Sequence, residues 1–198
     1  MSAGARAFWW IAPYAAWMII MAVLPQSAVC YAIRGVVTAI LLVVAALKLS
    51  VRQPRFDVAF LKALAIGAGS GIAVFLIWIA PEACFGVGER ISPADSPYSP
   101  ETCGMTLTLV KLVASSFVIP VAEEMFFRKW LVGFAGFWWM VALFAVEHSD
   151  RWHVGAITGV VYGVLAKRYG LMSAIIAHIV TNFALGLYVI VNNEWRFW

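Results

Sequence analysis

Charged side chains are scarce in this sequence, and their scarcity excludes an ordinary soluble globular protein. Asp, Glu, Lys and Arg make up 12% of the 198 residues, against about a quarter in soluble domains. Hydrophobic residues make up 64%, and the mean hydropathy is +0.90. The apolar runs are continuous instead of alternating, which disfavours a transmembrane β-barrel. At about 20 residues for each crossing, the chain is predicted to be all-α, a polytopic transmembrane helix bundle of about seven helices.

The sequence also lacks a block of basic residues, although its formal net charge is +4. The lysines and arginines lie instead at the ends of apolar segments, as the positive-inside rule predicts for cytoplasmic loops. No nucleic-acid partner is therefore expected, and the partner that the composition indicates is the lipid bilayer. No inverted repeat is visible either, which disfavours a small proton-coupled transporter.

Seven apolar segments are predicted to span the membrane, with the N-terminus in the cytoplasm and the C-terminus on the opposite side. They are 1–24, 29–49, 63–80, 105–132, 137–148, 154–166 and 171–191. The first ends without a clear cleavage site, so it is interpreted as a spanning helix instead of a signal peptide. The connector after the second is predicted to be cytoplasmic because it is basic. It contains Lys48, Arg52, Pro54, Arg55 and Lys62.

Cysteine is rare, and two of the three cysteines lie in the one long polar loop, 81–104. The charge rule predicts that this loop faces away from the cytoplasm. Cys84 and Cys103 either form a disulfide there, which would stabilise the fold by about 3 kcal/mol, or remain two free thiols. Cys30 is predicted to be a buried, small apolar residue.

One short stretch places two adjacent carboxylates and an arginine in an otherwise apolar segment, namely Glu123, Glu124 and Arg128. An ionised carboxylate within a bilayer is costly unless it is paired or hydrated. Glu124 and Arg128 are four residues apart and can pair on one face of a helix. Glu123 is rotated from Glu124 by about 100° and is left without that partner. The stretch is either an ion-pair network that fixes helix packing or part of a functional site.

Polar residues of two other segments are predicted to lie at the same depth. With about 1.5 Å per residue, Glu123, His148, His178 and Asn182 all fall roughly 12–18 Å from the glycine turns at the predicted cytoplasmic side, which are Gly133–Gly136 and Gly170. A glutamate and a histidine can hold and deprotonate a water, while a second histidine and an amide can donate to an oxyanion. The four residues together therefore favour a hydrolytic site over helix packing alone.

Zinc is the competing chemistry at this depth. Glu123, His148 and His178 would supply three ligands with one open position, but the sequence contains no H-E-x-x-H pattern. We therefore expect no cofactor, with zinc as the alternative. His153 is interpreted as a solvent-side histidine, and Glu147 as pointing about 100° away from His148.

Three motifs follow one another on three apolar segments: E-E-x-x-x-R at 123–128, F-x-x-x-H at 144–148 and H-x-x-x-N at 178–182. Their order and spacing resemble those of the CAAX protease and bacteriocin-processing family (CPBP, or Abi) of intramembrane proteases, which includes the Rce1-like CAAX prenyl endopeptidases. The resemblance covers residues 106–187. It implies that residues 106–191 form the catalytic helical core and that residues 1–105 form N-terminal transmembrane helices with a non-cytoplasmic loop. The two regions would together make one integral domain.

The resemblance also implies a role for each motif residue. Glu123 would be the general base, and His148 would help to hold the water. His178 and Asn182 would form the oxyanion site. The supporting residues would be Glu124 and Arg128 as an ion pair and Phe144 packed under His148.

The sequence therefore predicts an intramembrane endopeptidase that hydrolyses a peptide bond through a glutamate-activated water. Its partner would be a membrane-embedded or lipidated peptide or protein substrate, whether or not that substrate is prenylated. Its location would be the inner (cytoplasmic) membrane of a bacterium, as a multi-pass protein. The alternative is a non-enzymatic membrane immunity or partner-binding protein that keeps the polar cluster for packing or recognition.

Overall fold

The computed structural model describes residues 1–51, 56–86 and 88–198, and these residues form a bundle of helices. The seven long helices are α1 Ala3–Val23, α2 Ala28–Leu49, α3 Val58–Phe85, α4 Met105–Ala135, α5 Phe137–Glu147, α6 Trp152–Tyr169 and α7 Leu171–Asn192. Short helical turns cover Pro93–Asp95, Pro100–Cys103, Ser149–Arg151 and Trp195–Phe197. Arg52, Pro54 and Arg55 of the predicted basic connector lie outside the described residues.

All seven predicted segments are helical, but several of their boundaries were predicted wrongly; the third helix, for example, begins at Val58 and not at residue 63. The third helix continues through Pro81 to Phe85, so the polar loop begins at Gly86, whose φ of 64° ends the helix. The fourth continues through Gly133 and stops only at Gly136, where φ is 90°. Glycine tolerates this left-handed conformation because it has no Cβ. The turn between α4 and α5 is therefore a single residue.

The helices differ in their ability to cross a membrane. Within the described ranges, α1, α2, α3, α4 and α7 are long and apolar enough to span it. Helix α5 has 11 residues and is about 16 Å long, roughly half of a hydrocarbon core. Helices α5 and α6, which were predicted to span the membrane, are thus not among the helices that are long and apolar enough to do so. The chain is an integral membrane protein.

Helix α3 packs most extensively against α7, and two glycines permit the close approach. A Cβ on Gly67 would lie 2.7 Å from the Ser173 carbonyl oxygen, and one on Gly71 would lie 2.5 Å from that of Ala177. The Thr181 hydroxyl donates to the Gly71 carbonyl at 2.8 Å. Small residues at a helix interface allow such backbone contact within membranes, so α3 is fixed against the helix that carries His178.

The two ends of the bundle differ in charge. At one end, Arg90 of the loop after α3 forms an ion pair with Glu194 of the C-terminal tail. Arg151 of the turn after α5 forms another with Glu82 near the end of α3. The opposite end carries a surplus of basic side chains: Arg6, Lys48, Lys62, Lys129, Lys167 and Arg168. This division agrees with the predicted topology, in which the basic end is cytoplasmic.

The cysteines in the polar end of the bundle are not joined. Cys84 and Cys103 are both free thiols, so the second of the two alternatives holds. The Cys103 thiol donates instead to the Ser99 carbonyl oxygen at 3.2 Å. Cys84 is exposed at the end of α3, whereas Cys30 is half-buried.

Candidate active site

An ion pair lies at the centre of the bundle, where α4 faces α7. The Arg128 guanidinium and Glu124 Oε1 are 3.1 Å apart, and both side chains have no solvent exposure. The pair predicted from the i,i+4 spacing is therefore present. The face of the Phe144 ring covers Arg128, with the guanidinium carbon 4.1 Å from the ring centroid. The charge of Arg128 is thus balanced by one carboxylate and one aromatic ring.

His178 is oriented by the same carboxylate. Its Nδ1 donates to Glu124 Oε1 at 2.9 Å, and its ring packs 5.0 Å from that of Tyr162. The Tyr162 hydroxyl donates to Thr181 at 2.7 Å. Because Nδ1 is occupied, Nε2 is the nitrogen available for chemistry, an arrangement in which one hydrogen bond fixes the tautomer.

Glu123 is the second carboxylate, and it has a different environment. Its Oε2 lies 3.7 Å from His178 Nε2, which is beyond hydrogen-bond range. That oxygen is buried and has no hydrogen-bond partner among the described residues. Glu123 is thus adjacent to the free nitrogen of His178, while Glu124 holds the other nitrogen. This difference agrees with the prediction that Glu124 pairs with Arg128 and that Glu123 does not.

His148 closes α5 and leaves the helical conformation, with φ of −94° and ψ of 43°. Its Nδ1 donates to the Phe144 carbonyl oxygen at 2.8 Å, so its Nε2 is also left with a free lone pair. The rings of Phe144 and His148 are 4.6 Å apart, and Trp78 of α3 contacts the same imidazole at 5.4 Å. His148 is therefore held from three directions, and Phe144 links it to Arg128.

Asn182 lies one helical turn beyond His178, and its amide Nδ2 donates to the Ser115 carbonyl oxygen at 2.9 Å. A wide π-type turn at Ala114–Val118 brings the Ile119 amide onto the Ala114 carbonyl. With the same five-residue spacing, the residue that would donate to the Ser115 carbonyl oxygen is Pro120, which has no N–H. The proline thus leaves a carbonyl that Asn182 can bind. One N–H of the Asn182 amide remains for another acceptor.

Glu147 is a site residue that sequence reasoning missed. It lines a cavity of about 320 Å³ together with His148 and Ser149. Its carboxylate is an electrostatic neighbour of Glu123 and contacts the Tyr14 hydroxyl of α1. The expectation that Glu147 points away from His148 assumed a continuous helix, whereas the chain turns at His148. The one sequence signal for Glu147 was a further acidic residue in an apolar segment.

The cavity beside Glu147 opens toward the end of the bundle that carries the C-terminal tail. Phe197 and Trp198 of the tail line it, as does Arg151 of the turn after α5. His153, which was interpreted as solvent-facing, is exposed on α6 and does not line the cavity. Water therefore has a route to His148 and Glu147 from one side of the membrane.

The side chains at the site do not form the ligand set that zinc requires. Among the described residues, no group of three or more His, Cys, Asp and Glu side chains is arranged to hold a metal ion. Glu123 and His178 are adjacent, but His148 does not join them in such a group. The residues therefore do not fit a three-ligand zinc site, and cofactor independence stays a prediction.

Comparison with known proteins finds a family match for the region that contains these side chains. A profile described as Type II CAAX prenyl endopeptidase Rce1-like matches residues 105–184. No curated protein and no solved structure matches the chain. The matched range contains the three motifs and every predicted site residue. Residues 105–184 are therefore similar to the Rce1-like type II CAAX prenyl endopeptidases, in agreement with the resemblance that the three motifs indicate.

Proposed function

We propose that this protein is an intramembrane endopeptidase in which Glu123 activates a water for attack on a peptide bond. The observation that carries the proposal is the asymmetry of the two glutamates. Glu124 is used by Arg128 and His178, at 3.1 and 2.9 Å. The Oε2 atoms of both glutamates are buried without a hydrogen-bond partner in the described structure, but Glu123 has no ion pair with Arg128 there and adjoins the free nitrogen of His178. A carboxylate in this state can accept a proton from water.

The neighbouring groups support a complete reaction. With Nδ1 bound to the Phe144 carbonyl, His148 can accept a hydrogen bond from the water through Nε2. The attack converts the substrate carbonyl to an oxyanion, which needs hydrogen-bond donors. The remaining N–H of Asn182 is one donor. His178 becomes the second when its Nε2 carries a proton, because the Glu124 carboxylate on Nδ1 stabilises the imidazolium.

Glu147 would act on the same proton. Two carboxylates close together in a poorly hydrated site favour sharing one proton over carrying two negative charges. The pair of Glu123 and Glu147 can therefore hold the proton taken from water and deliver it to the leaving amine nitrogen when the oxyanion collapses and the C–N bond breaks. Loss of Glu147 alone is expected to slow the reaction without abolishing it, because the attacking water is still activated by Glu123.

The substrate of this reaction would be a membrane-inserted or lipid-anchored protein. The site lies within the helix bundle, so the scissile bond must enter the membrane to reach it. Cleavage would occur in the inner (cytoplasmic) membrane of a bacterial cell, without a metal ion. Chelation of divalent metals from the purified protein should leave its activity unchanged, and reversible loss of activity on chelation would contradict this part of the proposal.

The function is tested by comparing protein termini in membranes of cells that contain either the wild-type chain or Glu123→Gln at matched abundance. The substitution is isosteric and removes only the base. New termini that appear with the wild type and not with the variant would support proteolysis and identify the substrate. Identical termini in the two samples, in a host where the wild type is folded and its partners are present, would favour the non-enzymatic immunity or binding function.

A further inference from the structure

Two buried cations lie outside the proposed active site. Arg34 of α2 is 2% exposed, and Lys111 of α4 is 6% exposed. Each lies six residues from the end of its helix that begins at the non-basic side of the bundle. At about 1.5 Å per residue, both are about 9 Å below that end. The two positive charges therefore share one depth, on facing helices.

Neither cation has an acidic partner in the described parts of the chain, where no ion pair includes Arg34 or Lys111. Their nearest neighbours are aromatic. The Lys111 ammonium is 3.8 Å from the centroid of the Tyr31 ring and 4.1 Å from that of Tyr98. Arg34 stacks on Trp17 at 4.8 Å, and its buried Nε has no hydrogen-bond partner among the described residues.

The aromatic contacts do not compensate for the burial of these two positive charges. A cation–π contact offsets only part of the free energy that is lost when an ammonium or a guanidinium is removed from water. The cations also repel each other. Tyr98 does not neutralise them as a tyrosinate, because burial raises the pKa of its hydroxyl even though the nearby Arg34 charge lowers it in part. A net positive charge is therefore left inside the bundle.

The charge faces an open cavity. A pocket of about 380 Å³ is lined by both cations and by aromatic side chains, and it opens toward the end of the bundle formed by Gln26 and Pro97. Gln26 is positioned by the Tyr98 hydroxyl, which donates to its Oε1 at 3.0 Å and leaves the amide N–H groups of Gln26 available. The donors around the pocket are thus a guanidinium, an ammonium and an amide.

We propose that this pocket binds a phosphate group, carried by a lipid headgroup or as free phosphate. A phosphate group matches two adjacent cations better than a single carboxylate because it can carry up to two negative charges. The planar fork of an arginine and the point charge of a lysine are complementary phosphate ligands. The depth of the pocket, close to one end of the bundle, lies within reach of the headgroup region. The proposal does not depend on the hydrolytic function.

Binding is tested with two probes on the purified protein in a neutral detergent. The first probe is inorganic phosphate, compared with chloride at equal ionic strength by thermal unfolding. The second is phosphatidic acid, compared by native mass spectrometry with diacylglycerol of the same acyl chains, which differs only by the phosphate. A raised unfolding temperature in phosphate together with preferential binding of phosphatidic acid indicates that the pocket accepts any phosphate group. Preferential binding of phosphatidic acid alone indicates a lipid headgroup, and a raised unfolding temperature in phosphate alone indicates free phosphate.

Variants connect the binding to the pocket. Lys111→Met is expected to weaken binding about tenfold, the loss of one charge-assisted contact, and Lys111→Arg to retain it. Lys167→Met removes a cation from the basic end and should bind as the wild type does. Glu123→Gln should also bind normally, which separates this proposal from the catalytic one. If Lys111→Met does not fold, Arg34→Lys keeps the charge, loses the fork and should bind more weakly.

The proposal is overturned by either of two results. One is that the wild type shows no preference for phosphate over chloride and none for phosphatidic acid over diacylglycerol. The other is that the folded Lys111→Met variant, or Arg34→Lys in its place, binds both probes as the wild type does. Aromatic residues, and not a phosphate group, would then be the partners of these cations among the described residues.

Discussion

At the scale of single residues, two neighbouring glutamates differ because they lie on different faces of one helix. Glu124 is fully buried between Arg128 and His178, and its charge is compensated. Glu123 adjoins the same histidine on its other nitrogen and has no cation within ion-pair distance other than a protonated His178 among the described residues. The two glutamates thus have different partners because their side chains are rotated by about 100° from each other around the helix.

Glu124→Gln is expected to destabilise the protein by about 3–5 kcal/mol, because it leaves the buried Arg128 without its counter-charge. Thermal unfolding in detergent measures the loss. Arg90→Gln is the matched control, since 78% of the Arg90 side chain is exposed and its partner Glu194 keeps an ion pair with Arg196. A surface pair contributes about 0–1 kcal/mol. Equal effects of the two substitutions would contradict the structural role given to Glu124.

His178→Asn separates the two nitrogens of the imidazole. The asparagine amide can reproduce the Nδ1–H donor to Glu124 but has no group at the position of Nε2. We expect a folded protein whose turnover falls about 10²–10³-fold, the usual effect of losing one oxyanion donor. His178→Ala should lose both activity and stability. Activity of His178→Asn close to that of the wild type would show that Nε2 takes no part in the reaction.

At the scale of helices, the site depends on how closely α3 and α7 approach. Gly67 and Gly71 bring the α3 backbone against Ser173 and against Ala177, the residue next to His178. Tyr162 and Thr181 extend this contact to α6 through hydrogen bonds of 2.7 and 2.8 Å. The orientation of His178 is therefore set by helix packing as well as by Glu124.

Gly71→Leu should destabilise the bundle by about 3 kcal/mol, at the upper end of the cost of overpacking, and should lower activity because it displaces α7. Gly69→Leu is its control on the same helix, since a Cβ there meets nothing within 4 Å. Unfolding temperature and activity are measured for both. A Gly71→Leu variant as stable as Gly69→Leu would contradict the packing of α3 on α7.

Some of these elements could be predicted from the sequence, and others could not. The seven helices follow from long apolar runs, and the Glu124–Arg128 pair follows from a spacing of four residues on one helix. Glu147 could not be predicted, because its direction depends on α5 ending at His148. The partner of Asn182 could not be predicted either, since a π-type turn and Pro120 together leave the Ser115 carbonyl free.

At the scale of the whole molecule, charge is divided between the two ends of the bundle. Basic side chains collect at one end, while ion pairs such as Arg90–Glu194 join the loop, the tail and the turn after α5 at the other. Both the cavity beside Glu147 and the pocket beside Arg34 open toward this second end. The orientation in the membrane therefore decides which compartment supplies water and ligands.

The topology can be measured with the native Cys84, which is exposed at the non-basic end. In a Cys30→Ser, Cys103→Ser background, a membrane-impermeant maleimide should label Cys84 in intact cells. A second variant lacking Cys84 and carrying Arg168→Cys should be labelled only after the cells are permeabilised. The reverse pattern would show that the basic end faces outward and would contradict the positive-inside interpretation.

The central claim is that Glu123 activates the attacking water. The direct measurement is the rate at which the purified protein in liposomes cleaves the peptide identified from the cellular termini, for the wild type and for Glu123→Gln. We predict cleavage by the wild type and a rate lower by about 10³-fold or more for the variant, since general-base catalysis contributes up to about 10⁴-fold. Unfolding temperatures of the two should agree within a few degrees. Cleavage by folded Glu123→Gln at the wild-type rate would contradict the mechanism.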